Sequence, residues 1–200
     1  PMMLIEQTTV PTEALPVEEF SAHLQLGTGF ADDGEQAPLL EALLRAAMAA
    51  VEGRIGKVLL TRDFVWTVTA WREVDRQALP VAPVVDVTRL TVIDRADNAT
   101  DADVGTYRLE PDTHRPHVRA TGSALPTIGI GGTAEIAFQA GFGATWDAIP
   151  ADLAQAVFLL AAHYYEHRTA AGEGEKAMPF GVNMLLERWR TVRILGGGIC

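Results

Sequence analysis

Along residues 37–55 the apolar positions Leu40, Leu43, Leu44, Ala47, Met48, Val51 and Ile55 recur at spacings of three and four, which predicts an amphipathic helix. Pro38 fixes its first turn, because a proline deeper in the helix would clash with the carbonyl four residues back, and Gly53 and Gly56 mark its end. A second stripe, Leu153, Ala156, Val157, Leu160, Ala161 and Tyr164, predicts a helix over 150–168. Phe158 lies off that stripe, so this helix has a second apolar side that its own chain or a neighbour must cover. A shorter helix is expected over 16–26, with Pro16 at the first turn and Glu18 and Glu19 at the positive end of the dipole. A last one is expected over 181–189.

Between the helices the period changes to two. Phe64, Trp66, Val68 and Ala70 alternate with Val65, Thr67, Thr69 and Trp71, and residues 84–93 form a second β-branched run. Shorter strands are expected at Tyr107–Glu110, His117–Ala120 and Ala134–Gln139, the last with Ile136 and Phe138 on one face and Glu135 and Gln139 on the other. Residues 94–105, with four Asp, one Asn and one Gly, have turn chemistry, and residues 1–15 are an extended lead-in. The small, polar stretch 169–177 reads as a loop. The fold class is therefore α+β: a helical bundle core with an inserted small, mostly antiparallel sheet over about 58–143 and an extended C-terminal tail, 194–200, on a single domain, 1–193.

Composition narrows the classes. No apolar run approaches the roughly 20 residues of a membrane span. The opening Met2-Met3-Leu4-Ile5-Glu6-Gln7 lacks the basic and apolar regions of a secretory leader, so synthesis and use in the cytoplasm are expected. Cys200 is the single cysteine, which rules out a disulfide within the chain or a Cys-rich zinc site. The net charge of −10 has the wrong sign for a broad grip on phosphate backbones. That charge is uneven: residues 1–53 hold nine acids against Arg45 and Arg54 follows them, while the far end carries Arg188, Arg190 and Arg193.

Candidate chemistry is sparse. His163-Tyr164-Tyr165-Glu166-His167 has the H-x-x-E-H spacing of an inverted zincin, in which two His on one helical face bind zinc and the Glu acts as general base. The site would need a third ligand, and the carboxylates that follow it are Glu173, Glu175 and Glu187; the alternative makes both His polar shoulders of a packed helix. His114-Arg115-Pro116-His117 suits a turn or strand edge better than a metal. The glycines at 129, 131, 132, 141 and 143 fit neither G-x-G-x-x-G nor a P-loop, and no G-x-S-x-G elbow exists, so no cofactor is expected. Arg188-Trp189-Arg190, followed by Arg193-Ile194-Leu195 and three glycines, combines hot-spot residue types with chain freedom and reads as a docking segment or a solvated end.

The ordered series of these pieces resembles the head–tail connector, or adaptor, proteins of long-tailed phages and phage-derived gene transfer agents. It includes His23-Leu24-Gln25-Leu26, Asp32-Asp33 leading into Leu39-Leu40-Glu41-Ala42-Leu43-Leu44-Arg45-Ala46-Ala47, and Val51-Glu52-Gly53-Arg54-Ile55-Gly56. The Trp66 strand, Leu79-Pro80-Val81-Ala82-Pro83-Val84, Phe138-Gln139-Ala140-Gly141-Phe142-Gly143 and Ile149-Pro150-Ala151-Asp152-Leu153-Ala154-Gln155-Ala156 continue it. His163 to Arg168, Pro179-Phe180-Gly181-Val182 and Leu185-Leu186 complete it. The resemblance implies a non-enzymatic ring, typically a dodecamer, under the capsid portal, which passes double-stranded DNA and offers a surface to a stopper or tail-completion protein. It places the protein in the virion neck, assembled in the bacterial cytoplasm, with no membrane partner. It also implies portal docking by Arg188, Trp189, Arg190, Arg193, Ile194 and Leu195, and it makes the stretch from Tyr165 to Arg168 part of a helix without metal. Ring closure needs two different surfaces on each subunit, for which Leu40, Leu44, Met48 and Phe158 are the expected inter-subunit residues.

Overall fold

A computed structural model describes residues 2–24, 36–167 and 178–190. The element order is β1 (Met3–Glu6), α1 (Val17–His23), α2 (Ala37–Ile55), β2 (Arg62–Val68), β3 (Arg76–Ala78), β4 (Val84–Ile93), β5 (Ala99–Asp101), β6 (Tyr107–Glu110), β7 (His117–Ala120), β8 (Thr133–Ala140), α3 (Ala151–Glu166) and α4 (Phe180–Leu186). One-turn 3-10 helices lie at Thr12–Ala14, Val104–Thr106, Trp146–Ala148 and Glu187–Trp189. The content is α+β, and every paired strand is antiparallel.

The helical period is realised where the apolar stripes run. On α2 the buried positions are Leu40, Leu44, Ala47, Met48, Val51 and Ile55, and the helix stops at Gly56, whose φ of 67° suits a residue without Cβ and whose N–H closes on the Glu52 carbonyl at 2.8 Å. On α3 Leu153, Ala156, Val157, Leu160 and Ala161 are buried. These stripes share one apolar cluster with Phe20 of α1, Val182 and Leu186 of α4, and Trp189. Val10 and Leu15 join it from the lead-in, which is fastened to α2 because Arg45 donates to the Val10 carbonyl at 2.9 Å and to Glu41 at 2.8 Å. Arg45, with the Thr12 hydroxyl, holds the Glu41 carboxyl below its ordinary range.

The strands build a second cluster. A five-stranded sheet has the order β1-β2-β8-β4-β5 and a three-stranded sheet the order β3-β7-β6. The alternation along β8 is strict, with Ala134, Ile136, Phe138 and Ala140 buried, and the register sets Phe138 beside Phe64 and Ile136 beside Trp66. Tyr107, Val118, Leu79 and Leu125 cover that face from the smaller sheet and its flanking loops. Gly141, at φ 144°, is required where the chain leaves β8, since a Cβ there would run into the Thr61 backbone. Arg62 links the two clusters: its guanidinium meets Glu52 of α2 and, at 3.0 Å, Glu6 of β1.

Several expectations are revised. The inserted sheet is two sheets, β3 joins them without a periodic signal, and the first strand ends at Val68 because Thr69 to Asp75 turn towards β3. Met3–Glu6 of the lead-in is a paired edge strand, and the 94–105 stretch contains β5. The helix expected over 181–189 is α4 followed by a 3-10 turn, and that over 150–168 runs over Ala151–Glu166. Residues 25, 26 and 168, and the tail 194–200, lie outside the described residues.

Candidate functional site

The Arg188–Arg190 segment closes back on the body of the protein. Trp189 is 8% exposed; its indole Nε1–H donates to Asp152 Oδ2 at 2.7 Å, and its ring stands edge-on to Phe142 with centroids 5.5 Å apart. Arg188 reaches the same carboxylate at 2.9 Å and lies over the Trp189 ring, 4.8 Å from the centroid. Arg190 pairs with Glu187 at 2.9 Å. Asp152 occupies the first turn of α3, where a carboxylate also meets the positive end of the helix dipole. Trp189, one of the residues expected to dock a partner, is thus packed against its own chain. Arg188 and Arg190 remain exposed, and Arg193, Ile194 and Leu195 lie outside the described residues.

Most of the residues expected between subunits are likewise packed within the chain. Leu40, Leu44 and Met48 are 3%, 0% and 4% exposed, because their face of α2 is covered by this chain's own helices. Phe158 is half-buried and sits in an aromatic group, stacked on Trp146 with centroids 5.5 Å apart, 5.7 Å from Phe20 and 5.5 Å from His23. The second apolar side of α3 is therefore largely covered by the chain itself.

The H-x-x-E-H residues lie on the last turns of α3. The rings of His163 and His167 are 4.3 Å apart, His167 Nδ1 lies 2.9 Å from the His163 carbonyl, and Glu166 is exposed. Beside them a cavity of about 530 Å³ is bounded by His23, Leu24, Leu159, His163, Glu166 and Val182. Among the described residues no three His, Cys, Asp or Glu side chains converge as metal ligands. Of the acids that could supply a third ligand to zinc, Glu173 and Glu175 lie outside the described residues. His114 and His117 flank a turn in which Asp112 accepts from the His114 and Arg115 amides, bonds that hold its carboxyl below the usual range.

The exposed apolar surface lies elsewhere. Met2, Met3, Leu4 and Ile5 are 59%, 54%, 38% and 41% exposed, and β1 forms one edge of the larger sheet. Phe180 and Met184 project from α4. Reading the opening residues for a leader finds only their polarity after Ile5; the four apolar residues in succession are the signal that was there to find.

This arrangement recurs in solved structures. The chain matches one in the neck of an empty gene transfer agent particle computed with C6 symmetry, at 56% identity and a TM-score of 0.88 over 98% of each chain. The chain belongs to the neck proteins of gene transfer agent particles. A second relative of this neck protein is in the virion of a native gene transfer agent particle, at 56% identity and a TM-score of 0.86 over 98% of each chain. A third is in the neck of a native particle computed with C12 symmetry, at 52% identity and a TM-score of 0.82 over 98% of each chain. Comparison with protein-family models and with curated proteins gives no match. The neck protein is thus a structural component of the virion neck. Among its described residues no helix is long and apolar enough to cross a membrane.

Proposed function

We propose that the neck protein is a head–tail connector subunit: copies close into a ring, a dodecamer, beneath the capsid portal and join it to the next neck or tail ring. The observation that carries this reading is end-to-end similarity, at 52–56% identity, to neck chains in particles computed with C6 and C12 symmetry. In the proposed ring each protomer acts as one unit, its helices forming a bundle core from which the sheets project. The subunit performs no catalysis; assembled in the bacterial cytoplasm, it lines part of the DNA conduit. The net charge of −10 suits that role, because a wall that neutralises few phosphates does not hold the passing duplex.

Portal contact is assigned to Arg188, Arg190, Arg193, Ile194 and Leu195, with a stopper or tail-completion protein on the opposite side of the ring. Because Trp189 is anchored in the apolar cluster, a clean test removes residues 191–200 and leaves Arg190 in place. The shortened protein is expected to fold and to lose co-sedimentation with purified portal rings. Full stoichiometric binding would overturn the assignment of Arg193, Ile194 and Leu195. Electron microscopy of the intact protein mixed with its portal should show a stacked ring.

A further inference from the structure

We propose that the outer edge of β1 is the surface on which the next copy of this chain docks in the ring, through the main-chain groups of Leu4 and Glu6. The proposal rests on the ring reading above and adds the element that joins one copy to the next.

Backbone pairing defines that edge. The Gln7 amide donates to the Asp63 carbonyl at 2.8 Å, and the register sets Ile5 opposite Val65 and Met3 opposite Thr67. Antiparallel ladders alternate, so Gln7, Ile5 and Met3 direct their N–H and C=O groups to β2, and Leu4 and Glu6 direct theirs outward. All four residues of β1 are exposed, and Met2, Met3, Leu4 and Ile5 make an apolar run along the edge.

Edge strands that must stay unpaired carry lysine, proline, a bulge or short length. Met3–Glu6 is four residues long but holds no lysine, proline or bulge, and its one charge, on Glu6, is turned to Arg62 at 3.0 Å. The other edge of the same sheet is treated differently. There β5 has three residues, its Asp101 accepts from Thr91 at 2.6 Å, and it follows a turn closed by Asp94 with Asp97 at φ 61°. One edge is blunted and the other is left ready to pair.

Charge limits what a contact between copies can use. Copies of a chain with net charge −10 repel one another, so contact between them favours a patch where attraction is apolar and main-chain. Cyclic closure requires two different faces per subunit, and the β1 edge supplies one of them. Two of the relatives come from necks computed with C6 and C12 symmetry, which supports a neighbouring copy of this chain.

The test places the photo-cross-linking residue p-benzoylphenylalanine at Met3 of the full chain in assembled particles. Irradiation is expected to give a ladder of covalent multimers of this chain. Leu4→Pro removes one outward N–H and leaves the bonds to β2 intact, as prolines on sheet edges do. It should leave the thermal unfolding of the free protein unchanged and reduce the ladder by about fivefold, the effect of one net hydrogen bond at each contact. If Leu4→Pro impairs folding, the Met3 cross-link alone decides. Cross-links to a different neck component, or none in particles whose reconstructed neck shows a ring of this chain, would overturn the proposal and leave the ring reading standing. A neck without a ring of this chain would overturn both.

Discussion

Arg188–Arg190 and Met3–Glu6 lie near opposite ends of the described chain and reverse what their residue types suggest. The former holds Arg and Trp, the side chains most enriched at binding hot spots, yet Trp189 is packed on Phe142 and hydrogen-bonded to Asp152. The latter has the sequence of a plain lead-in, yet it presents an apolar strand with half its backbone groups unpaired by the protein. What separates them is satisfaction: a hot-spot side chain whose polar atom and ring are already matched has little left to offer a partner, whereas an open sheet edge does.

The contrast breaks most severely if Trp189 is not structural. Trp189→Ala is expected to cost about 3–5 kcal/mol in denaturant unfolding, the range for a large aromatic removed from a core. A stability equal to that of the intact protein would return Trp189 to the set of free docking residues. Asp152→Ala leaves the indole N–H buried without an acceptor and should cost about 1–3 kcal/mol by the same measurement.

Lys57 sharpens the comparison from the opposite direction. Its side chain is buried and its Nζ has no hydrogen-bond partner, whereas water can reach the outward groups of β1. Burial lowers the Lys57 pKa, and the charge of Asp112 offsets only part of that effect. Lys57→Met should therefore stabilise the protein by about 1–2 kcal/mol near neutral pH. The unfolded chain binds the proton more tightly, so the penalty in the wild type is relieved as pH rises from the folded pKa towards the unfolded value of 10.5, and the gain from Lys57→Met should shrink over that window in pH-dependent thermal melts. The smallest effect is expected on β1, where Ile5→Thr should change stability by less than about 0.5 kcal/mol while reducing ring yield in assembled particles. A large loss of stability with unaltered rings would make β1 a packing element of the protomer instead of a contact between copies.

Much of the fold was legible because it rests on periodicity. The α2 and α3 stripes and the alternation of β8 follow from residues whose apolar side must be buried, and their observed bounds differ little from those read along the chain. What was not legible is pairing at a distance. Three residues of β3 and three of β5 carry no period, and their strand character comes from Val118 and Val92 opposite them. The same limit governed the sites. Leu40, Leu44 and Met48 have the pattern of an apolar face, which does not say whether the cover comes from this chain or the next. Asp152 was visible as a first-turn acid, but its role as acceptor for Trp189 joins residues 37 positions apart.

The most direct measurement is a reconstruction of the neck from particles carrying this protein. The expected outcome is a closed ring of identical copies, with β1 of each at the boundary with the next and each Trp189 seated against Phe142 of its own chain. A neck in which this chain occurs singly, or in which its copies do not touch, would contradict both the ring and the edge that closes it.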